Sequence, residues 1–286
     1  MDIKSIGIIN KKNACINKEI LIRIFNVLCE KNIDVYMESL YEEDINIPCN
    51  FVCDEELYKN SDVILSLGGD GTLIHAASNA AIYNKPVIGM NLGNLGFLSE
   101  MERDDLSGLY RLLNGEYIID ERMMLTCEAV DINDEKKIFH CLNDIIISRG
   151  SYPRMINFDL SVSGQIVENY TADGMIISTP TGSTAYSLSA GGPIAEPVLD
   201  IIIATPICPH SFKNKSIIFG SDKEIIISVN EKYNNRAFIS VDGNTSIEIQ
   251  GEICIRKSEF TTKLLRINNK SFYSILKDKL ADRGGN

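Results

Sequence analysis

The sequence lacks an excess of positive charge, a long apolar run, and any cysteine or histidine spacing that binds metal. Its 286 residues carry 28 Lys and Arg against 39 Asp and Glu, a net charge of −11. With a pI near 4.9, no summed positive field draws in nucleic acid or an anionic bilayer. Any anionic ligand must therefore be held by local groups. No stretch approaches the roughly 18 to 20 uninterrupted apolar residues needed to span a bilayer; even LDIIIATPI is broken by Asp200 and Pro206. The opening MDIKSIGIIN has no basic segment leading into the apolar core of a secretory signal. A cytoplasmic protein with no membrane or nucleic-acid partner is expected.

The eight cysteines, at 15, 29, 49, 53, 127, 141, 208 and 254, include no C-x-x-C pair, since three residues separate Cys49 from Cys53. They read as small buried thiols kept reduced. His75, His140 and His210 lie far apart, without the spacing that places two imidazoles on one helix face. No metal ligand is assigned to a protein side chain. The Walker pattern GxxxxGK[ST] is missing as well.

What is present is a change of pattern along the chain. The apolar run 3–9, a short segment at 35–36, and the runs 63–67 and 86–90 read as strands. Helical periodicity falls between them at 17–31 (Ile20, Ile24, Val27, Leu28) and 72–81 (Leu73, Ala76, Ala77, Ala80). Strands alternating with helices indicate a Rossmann-like parallel sheet covered on both faces, so residues 1–121 form an α/β domain. From Arg122 the runs are short and successive: MLTCEAV, KIFHCLNDIII, MINFDLSV, GMIIST, SIIFG, EIIISV, RAFISV, SIEIQG, EICIRK and TKLLRI. These predict an antiparallel β-rich, sandwich-like domain over 122–267. Residues 268–286 hold a last helix, 271–280, expected to return to the first domain, and a frayed tail, ADRGGN.

Three glycine-rich segments can carry chemistry. In SLGGDGTLIHAA, 66–77, a buried strand runs into Gly68, Gly69, Asp70, Gly71 and Thr72 just before a helix. Such a loop lets backbone amides approach a phosphate at the crevice beyond the strand ends. Asp70 beside a phosphate suits proton transfer or metal binding; equally, Asp-Gly makes a tight turn with Asp70 as the helix cap. The second segment, 171–193, holds eight Ser or Thr and four Gly, hydroxyls and amides able to bond phosphate and ribose, with Tyr186 offering a ring to a base. The third, GMNLGNLGFLSE at 89–100, fails GxGxxG and reads as a turn shaping the same crevice. Asp242-Gly243 reads as a hairpin turn. Arg149 and Arg154 flank a Ser-Tyr-Pro turn as either local positive charge or solvated side chains.

Taken together, GGDGT at 68–72, NLGNLGFL at 91–98, LNDIII at 142–147 and DGMIISTPTGSTAYSLSAGGP at 173–193 resemble the NAD kinase family in order and spacing. GGDG alone is shared with lipid kinases and relatives of phosphofructokinase. The resemblance implies transfer of the γ-phosphoryl group of ATP to the 2′-hydroxyl of the adenosine ribose of NAD, giving NADP, with Mg²⁺ or another divalent cation. It further implies Asp70 as proton acceptor and Gly68, Gly69, Gly71 and Thr72 as a phosphate-binding loop. The NAD site it implies comprises Asp70, Gly71, His75, Asn143, Asp144, Arg154, Asp173, Thr184, Ala185, Tyr186, Ser187, Leu188, Ser189 and Asn244. The departure is Asp144, where the family usually carries Glu. By resemblance alone, a homodimer or homotetramer is expected. Two other readings are a GGDG-type lipid (diacylglycerol) kinase, which the acidic chain without a basic amphipathic stretch disfavours, and a non-catalytic dinucleotide-sensing module.

Overall fold

The computed structural model describes residues 2–11, 18–43, 45, 47–93, 96–103, 105–210, 215–229, 236–244, 246–268 and 270–283. The chain divides into two compact units, one formed by 1–121 with 262–286 and the other by 122–261.

In the first unit, β1 (Ser5–Asn10), α1 (Lys18–Glu30), β2 (Asp34–Glu38), β3 (Asn50–Val52), α2 (Asp54–Asn60), β4 (Val63–Gly68), α3 (Asp70–Ile82), β5 (Val87–Asn91), β6 (Met101–Glu102) and α4 (Ser107–Leu113) follow in order. Strand β1 pairs in parallel with both β2 and β4, β2 with β3 and β4 with β5. The resulting order, 3-2-1-4-5, reverses direction of growth between β1 and β4, the place where open α/β sheets bind ligands beyond their carboxyl ends. Strands β1, β4 and β5 are buried along their whole length, as expected of a parallel sheet covered on both faces. Helix α1 packs Ile20, Leu21, Ile24, Val27 and Leu28 into that core. The parallel reading of this part agrees with the structure. Strand β3 and helix α2 were not legible: β3 is three residues long and half-exposed, and α2 buries only Leu57 and Tyr58.

The second unit takes all but the first four residues of β7 (Ile118–Asp131), then β8 (Lys136–Cys141), β9 (Asp144–Ser148), β10 (Ile156–Val162), β11 (Gln165–Ala172), β12 (Gly174–Ser178), α5 (Tyr186–Ser189), β13 (Ile201–Ile207), β14 (Ile217–Gly220), β15 (Ile225–Val229), β16 (Ala237–Val241) and all but the last five residues of β17 (Ile247–Arg266). The ladders that build its two groups of strands are antiparallel. One group runs β14, β13, β12, β9, β16, and the other β11, β10, β15. Strand β17 joins both, pairing with β16 through Ile247 and Ile249 and with β15 through 252–255. Gly251 between them has φ +71, a conformation glycine adopts without penalty, so one strand serves two groups. Their facing side chains share one apolar core, which includes Phe158 stacked on Tyr170 at 5.5 Å.

Several boundaries differ from expectation. The run 137–147 is two strands, because Leu142 and Asn143 form a corner. The three runs between 246 and 267 are the single strand β17. Strand β11 leaves no apolar run in the sequence because five of its eight residues are exposed. Strand β13 escaped because Pro206 interrupts its apolar run; the proline lies past the last residue paired with β14, Ala204, so its missing N–H breaks no ladder there. The last helix, α6 (Phe272–Arg283), continues beyond 280, so 281–283 are helical rather than frayed, while 284–286 fall outside the described residues. Of the seven described cysteines, all free, only Cys127 and Cys141 are buried, and Cys29, Cys53 and Cys208 are exposed; Cys15 falls outside the described residues. The exposed thiols lie at the end of α1 (Cys29), just before α2 (Cys53) and just past β13 (Cys208), outside the buried strands that form the cores.

Phe158→Ala removes a 1% exposed ring from the second unit and is expected to cost about 3 to 5 kcal/mol, read as a lower urea midpoint at unchanged slope.

Candidate active site

Strand β4 ends at Gly68, and the helix it feeds starts two residues later. The N-cap of α3 is Gly69, with φ −97 and ψ −172 and no side-chain cap. Asp70 is therefore the first helical residue and does not cap its own helix. Its carboxylate turns instead to the segment after β5. Oδ2 accepts the Phe97 N–H at 2.6 Å, and Oδ1 accepts the Leu98 N–H and the Ser99 hydroxyl, each at 3.3 Å. The close approach leaves no room for a side chain at 96, where a Cβ would stand 1.8 Å from Asp70 Oδ1. Two of the glycine-rich segments thus form one structure, hinged on a carboxylate. Asn91 shapes its near side, accepting the Gly93 N–H at 3.1 Å through Oδ1 and donating to the Gly93 carbonyl at 3.3 Å through Nδ2; Asn94 and Leu95 fall outside the described residues. Gly68 is fixed by contact, since a Cβ there would meet Thr72 Oγ1 at 2.3 Å, while Gly69 and Gly71 face open space. His75 is half-buried, with Nδ1 3.2 Å from Asn79 Nδ2 on the next turn of α3.

The segment that follows is anchored by a pair no motif announced. Glu100 and Arg266, 5% and 11% exposed, meet at 2.7 Å. Arg266 also reaches Asp120 at 3.2 Å, and Glu100 accepts the amides of Ile267 at 3.2 Å and Asn268 at 2.9 Å. Sequence could not indicate it, because 166 residues separate the partners.

In the second unit the Ser/Thr-rich run splits by role. Thr179 donates its hydroxyl to the Leu142 carbonyl at 2.6 Å and its N–H to the Asn143 carbonyl at 2.9 Å. Its Oγ1 accepts the Gly182 N–H at 3.0 Å. A Cβ on Gly182 would lie 2.1 Å from the Asn143 carbonyl oxygen. Ser183 donates to the Pro180 carbonyl at 2.6 Å and accepts the Ala195 N–H at 3.0 Å. Ser187 is buried beside Thr205, the two hydroxyls 3.2 Å apart. These hydroxyls build the scaffold. Thr184, Ala185 and Leu188 are half-buried, and Tyr186 and Ser189 are exposed, so they are what the run offers to solvent.

Asp242 and Gly243, at φ +49 and +71, form the expected tight turn after β16, and the turn has a second task. The Asp242 carboxylate accepts the N–H groups of Leu142, Asn143 and Asp144 at 2.9, 2.8 and 3.1 Å. Asn143, Asp144, Thr179 and Asp242 are thus brought together, with Asn244 exposed just past the turn. Asn143 Oδ1 and Ser178 Oγ are buried without a hydrogen-bond partner among the described residues. Asp173 is 2.7 Å from Arg149 Nε, which makes Arg149 a charge partner of Asp173, and Arg154 is exposed in the bend before β10. Asp144 is 4% exposed. Burial first, and the charge of Asp242 second, push its carboxyl up to about 7.

The same two parts of the chain match the family models described as the ATP-NAD kinase N-terminal domain, over residues 6–117, and the ATP-NAD kinase C-terminal domain, over 142–267. The chain belongs to the NAD kinase family. It is 38% identical over 283 residues to an NAD kinase of Caldanaerobacter subterraneus subsp. tengcongensis, covering 98% of this chain and 100% of the relative. It is 39% identical to an NAD kinase of Natranaerobius thermophilus, with 97% and 98% covered. Yeast NADH kinase, solved in complex with NADH, superposes with a TM-score of 0.85 at 26% identity, covering 100% of this chain and 89% of that one. An NAD kinase from Archaeoglobus fulgidus in complex with ATP gives 0.75 at 27%, with 97% and 98% covered. As a member of this family the chain is an NAD kinase-type phosphotransferase, and the lipid-kinase and sensor readings are set aside. Among the described residues, no helix is long and apolar enough to cross a membrane.

The raised Asp144 carboxyl has a sign that can be checked. The unfolded chain releases this proton near the ordinary value of about 4, whereas the folded chain holds it up to about 7. Between those values unfolding releases a proton, so stability contributed by this group falls as pH rises and levels off above it. Urea unfolding across that range should show wild type losing about 1 to 3 kcal/mol relative to Asp144→Asn, with His140 and the exposed carboxylates cancelling in the difference.

Proposed function

We propose that the chain transfers the γ-phosphoryl group of ATP to the 2′-hydroxyl of the adenosine ribose of NAD, in the cytoplasm, with Asp70 as general base. The α/β part, 1–121, handles the phosphates through Gly68, Gly69, Gly71 and Thr72, and the β-rich part, 122–267, holds the dinucleotide. The observation that carries the reading is the environment of Asp70. A carboxylate has about four lone-pair sites; two donors converge on Oδ1 and one on Oδ2, which leaves one site, on Oδ2, to take a proton. A ribose hydroxyl is a weak nucleophile until its proton has an acceptor within hydrogen-bond reach. The loop amides at the start of α3 favour the negative charge of the phosphates, and positioning with charge neutralisation supplies most of the acceleration in such transfers.

No group of three or more His, Cys, Asp or Glu among the described residues makes a ready cation site. In this reading Mg²⁺ or another divalent cation accompanies the triphosphate donor and neutralises its charge. The dinucleotide contacts fall to His75, Asn143, Asp144, Arg154, Asp173, Asn244 and the 184–189 segment. Arg149, the partner of Asp173, fixes that carboxylate for the purpose. Homodimeric or homotetrameric assembly through the β-rich part belongs to the same reading, supported by the exposure of Val198 at 75%, Ile218 at 53% and Leu199 at 44%.

Asp70→Asn keeps the size of the side chain and removes the base, while turning an NH₂ group toward either the Phe97 N–H or the Leu98 and Ser99 donors. Its kcat is expected to fall by about 10² to 10⁴ when NADP formed from ATP, Mg²⁺ and NAD is measured through an NADP-dependent dehydrogenase. An undiminished kcat overturns the role given to Asp70.

A further inference from the structure

We propose that Arg266 is a positioning residue for Asp70: it fixes the segment 97–100, and that segment in turn sets where the Asp70 carboxylate stands. The inference rests on the reading of Asp70 as general base.

The three donors on the Asp70 carboxylate, the Phe97 and Leu98 amides and the Ser99 hydroxyl, all belong to 97–99. A shift of that segment is therefore a shift of the base. Leu98 links the two ends of the chain of contacts, since its N–H goes to Asp70 Oδ1 and its carbonyl accepts Arg266 Nη1, each at 3.3 Å. Two residues on, Glu100 takes the same Nη1 at 2.7 Å, while Arg266 Nε reaches Asp120 at 3.2 Å. One guanidinium thus serves a carbonyl and two carboxylates, which its fork of donors in fixed geometry allows and a single ammonium does not.

The backbone around this contact is tied on both sides. The Glu100 N–H donates to the Gly89 carbonyl of β5 at 3.0 Å, and the Glu100 carbonyl accepts Asn268 Nδ2 at 2.7 Å. The anchor is itself braced: Arg111 of α4 donates to the Ile267 carbonyl and, at 3.4 Å, to Asn268 Oδ1, and the end of β17 lies beside β5 with Leu264 opposite Val87. Exposed ion pairs fix little, because water and side-chain freedom compete with them. Glu100 and Arg266 are nearly covered, so their geometry is held. A base has to stand within about 2.6 to 3.2 Å of the atom that gives up its proton. Removing Arg266 frees the Leu98 carbonyl and leaves Glu100 without its cation, which loosens the segment that aims Asp70.

The test is a double-mutant cycle on the full chain, with NADP formed from ATP, Mg²⁺ and NAD as the readout. Arg266→Met should lower kcat by about 10- to 100-fold, the scale of a misplacement of about 1 Å, with KM for both substrates moving less than about threefold. In the Asp70→Asn background the same change should cost less than about threefold, because a group that acts through Asp70 has nothing left to act on. Equal losses in both backgrounds would show a general scaffold role and overturn the proposal, as would an undiminished kcat or an effect confined to KM. Amide hydrogen exchange gives a reading that needs no turnover: Phe97 and Leu98 should exchange at least about tenfold faster in Arg266→Met, with β1 and β4 still protected. Unchanged exchange at both amides rejects the link. If Arg266→Met does not fold, Glu100→Gln combined with Arg266→Met removes both charges of the buried pair together and tests the same loss of the Leu98 contact. Should Asp70→Asn alone keep full kcat, the base reading fails, while the exchange measurement still decides whether Arg266 holds the segment bonded to Asp70.

Discussion

A single carboxylate at the end of a parallel strand organises the first unit's crevice. Asp70 opens α3 yet bonds outward, to Phe97, Leu98 and Ser99, so the loop after β4 and the loop after β5 are one object. Everything near them follows from that bond set. Gly96 has to be a glycine because the carboxylate lies where its side chain would be. Leu98 and Ser99 are buried, and Glu100 is delivered to Arg266 beyond them. A helix that capped itself with Asp70 would lose all of this.

The second unit applies the same device in a different element. There a turn aspartate, Asp242, gathers three amides from a corner 98 to 100 residues earlier in the chain. In both places a charged acceptor satisfies backbone donors that no ladder reaches, which is the ordinary requirement on buried N–H groups. The cost falls on neighbours. Asp144 is buried beside the Asp242 carboxyl, and burial first and Asp242 second push its own carboxyl up to about 7.

The parallel core and the β-rich second half were legible because burial imposes periodicity: continuous apolar runs for β1, β4 and β5, alternation for β10 and β16. Elements with little buried face left little trace, as with β3 and β11. The glycine-rich motifs revealed where the chain turns tightly, and the family resemblance followed from their order. What each polar residue does was less readable. In the 171–193 run, Thr179, Ser183 and Ser187 look identical in type to residues that meet solvent, yet they bond the scaffold. Asp242 read as a hairpin turn, and it is one; its long-range bonds have no local signature. The Glu100–Arg266 pair shows the same limit, since a contact spanning more than half the chain leaves no pattern in either neighbourhood.

The order in which a ribosome releases this chain gives the Glu100–Arg266 pair a further meaning. The first unit draws on residues from both termini, 1–121 and 262–286, and Glu100 keeps its carboxylate buried only when Arg266, Ile267 and Asn268 are present to receive it. Domains commonly fold as they emerge, amino-terminal first. Here the amino-terminal part must wait, with an uncompensated acid at its edge, until residues 262–268 have been made, so a product terminated before them carries the Asp70 loop on an unfinished foundation.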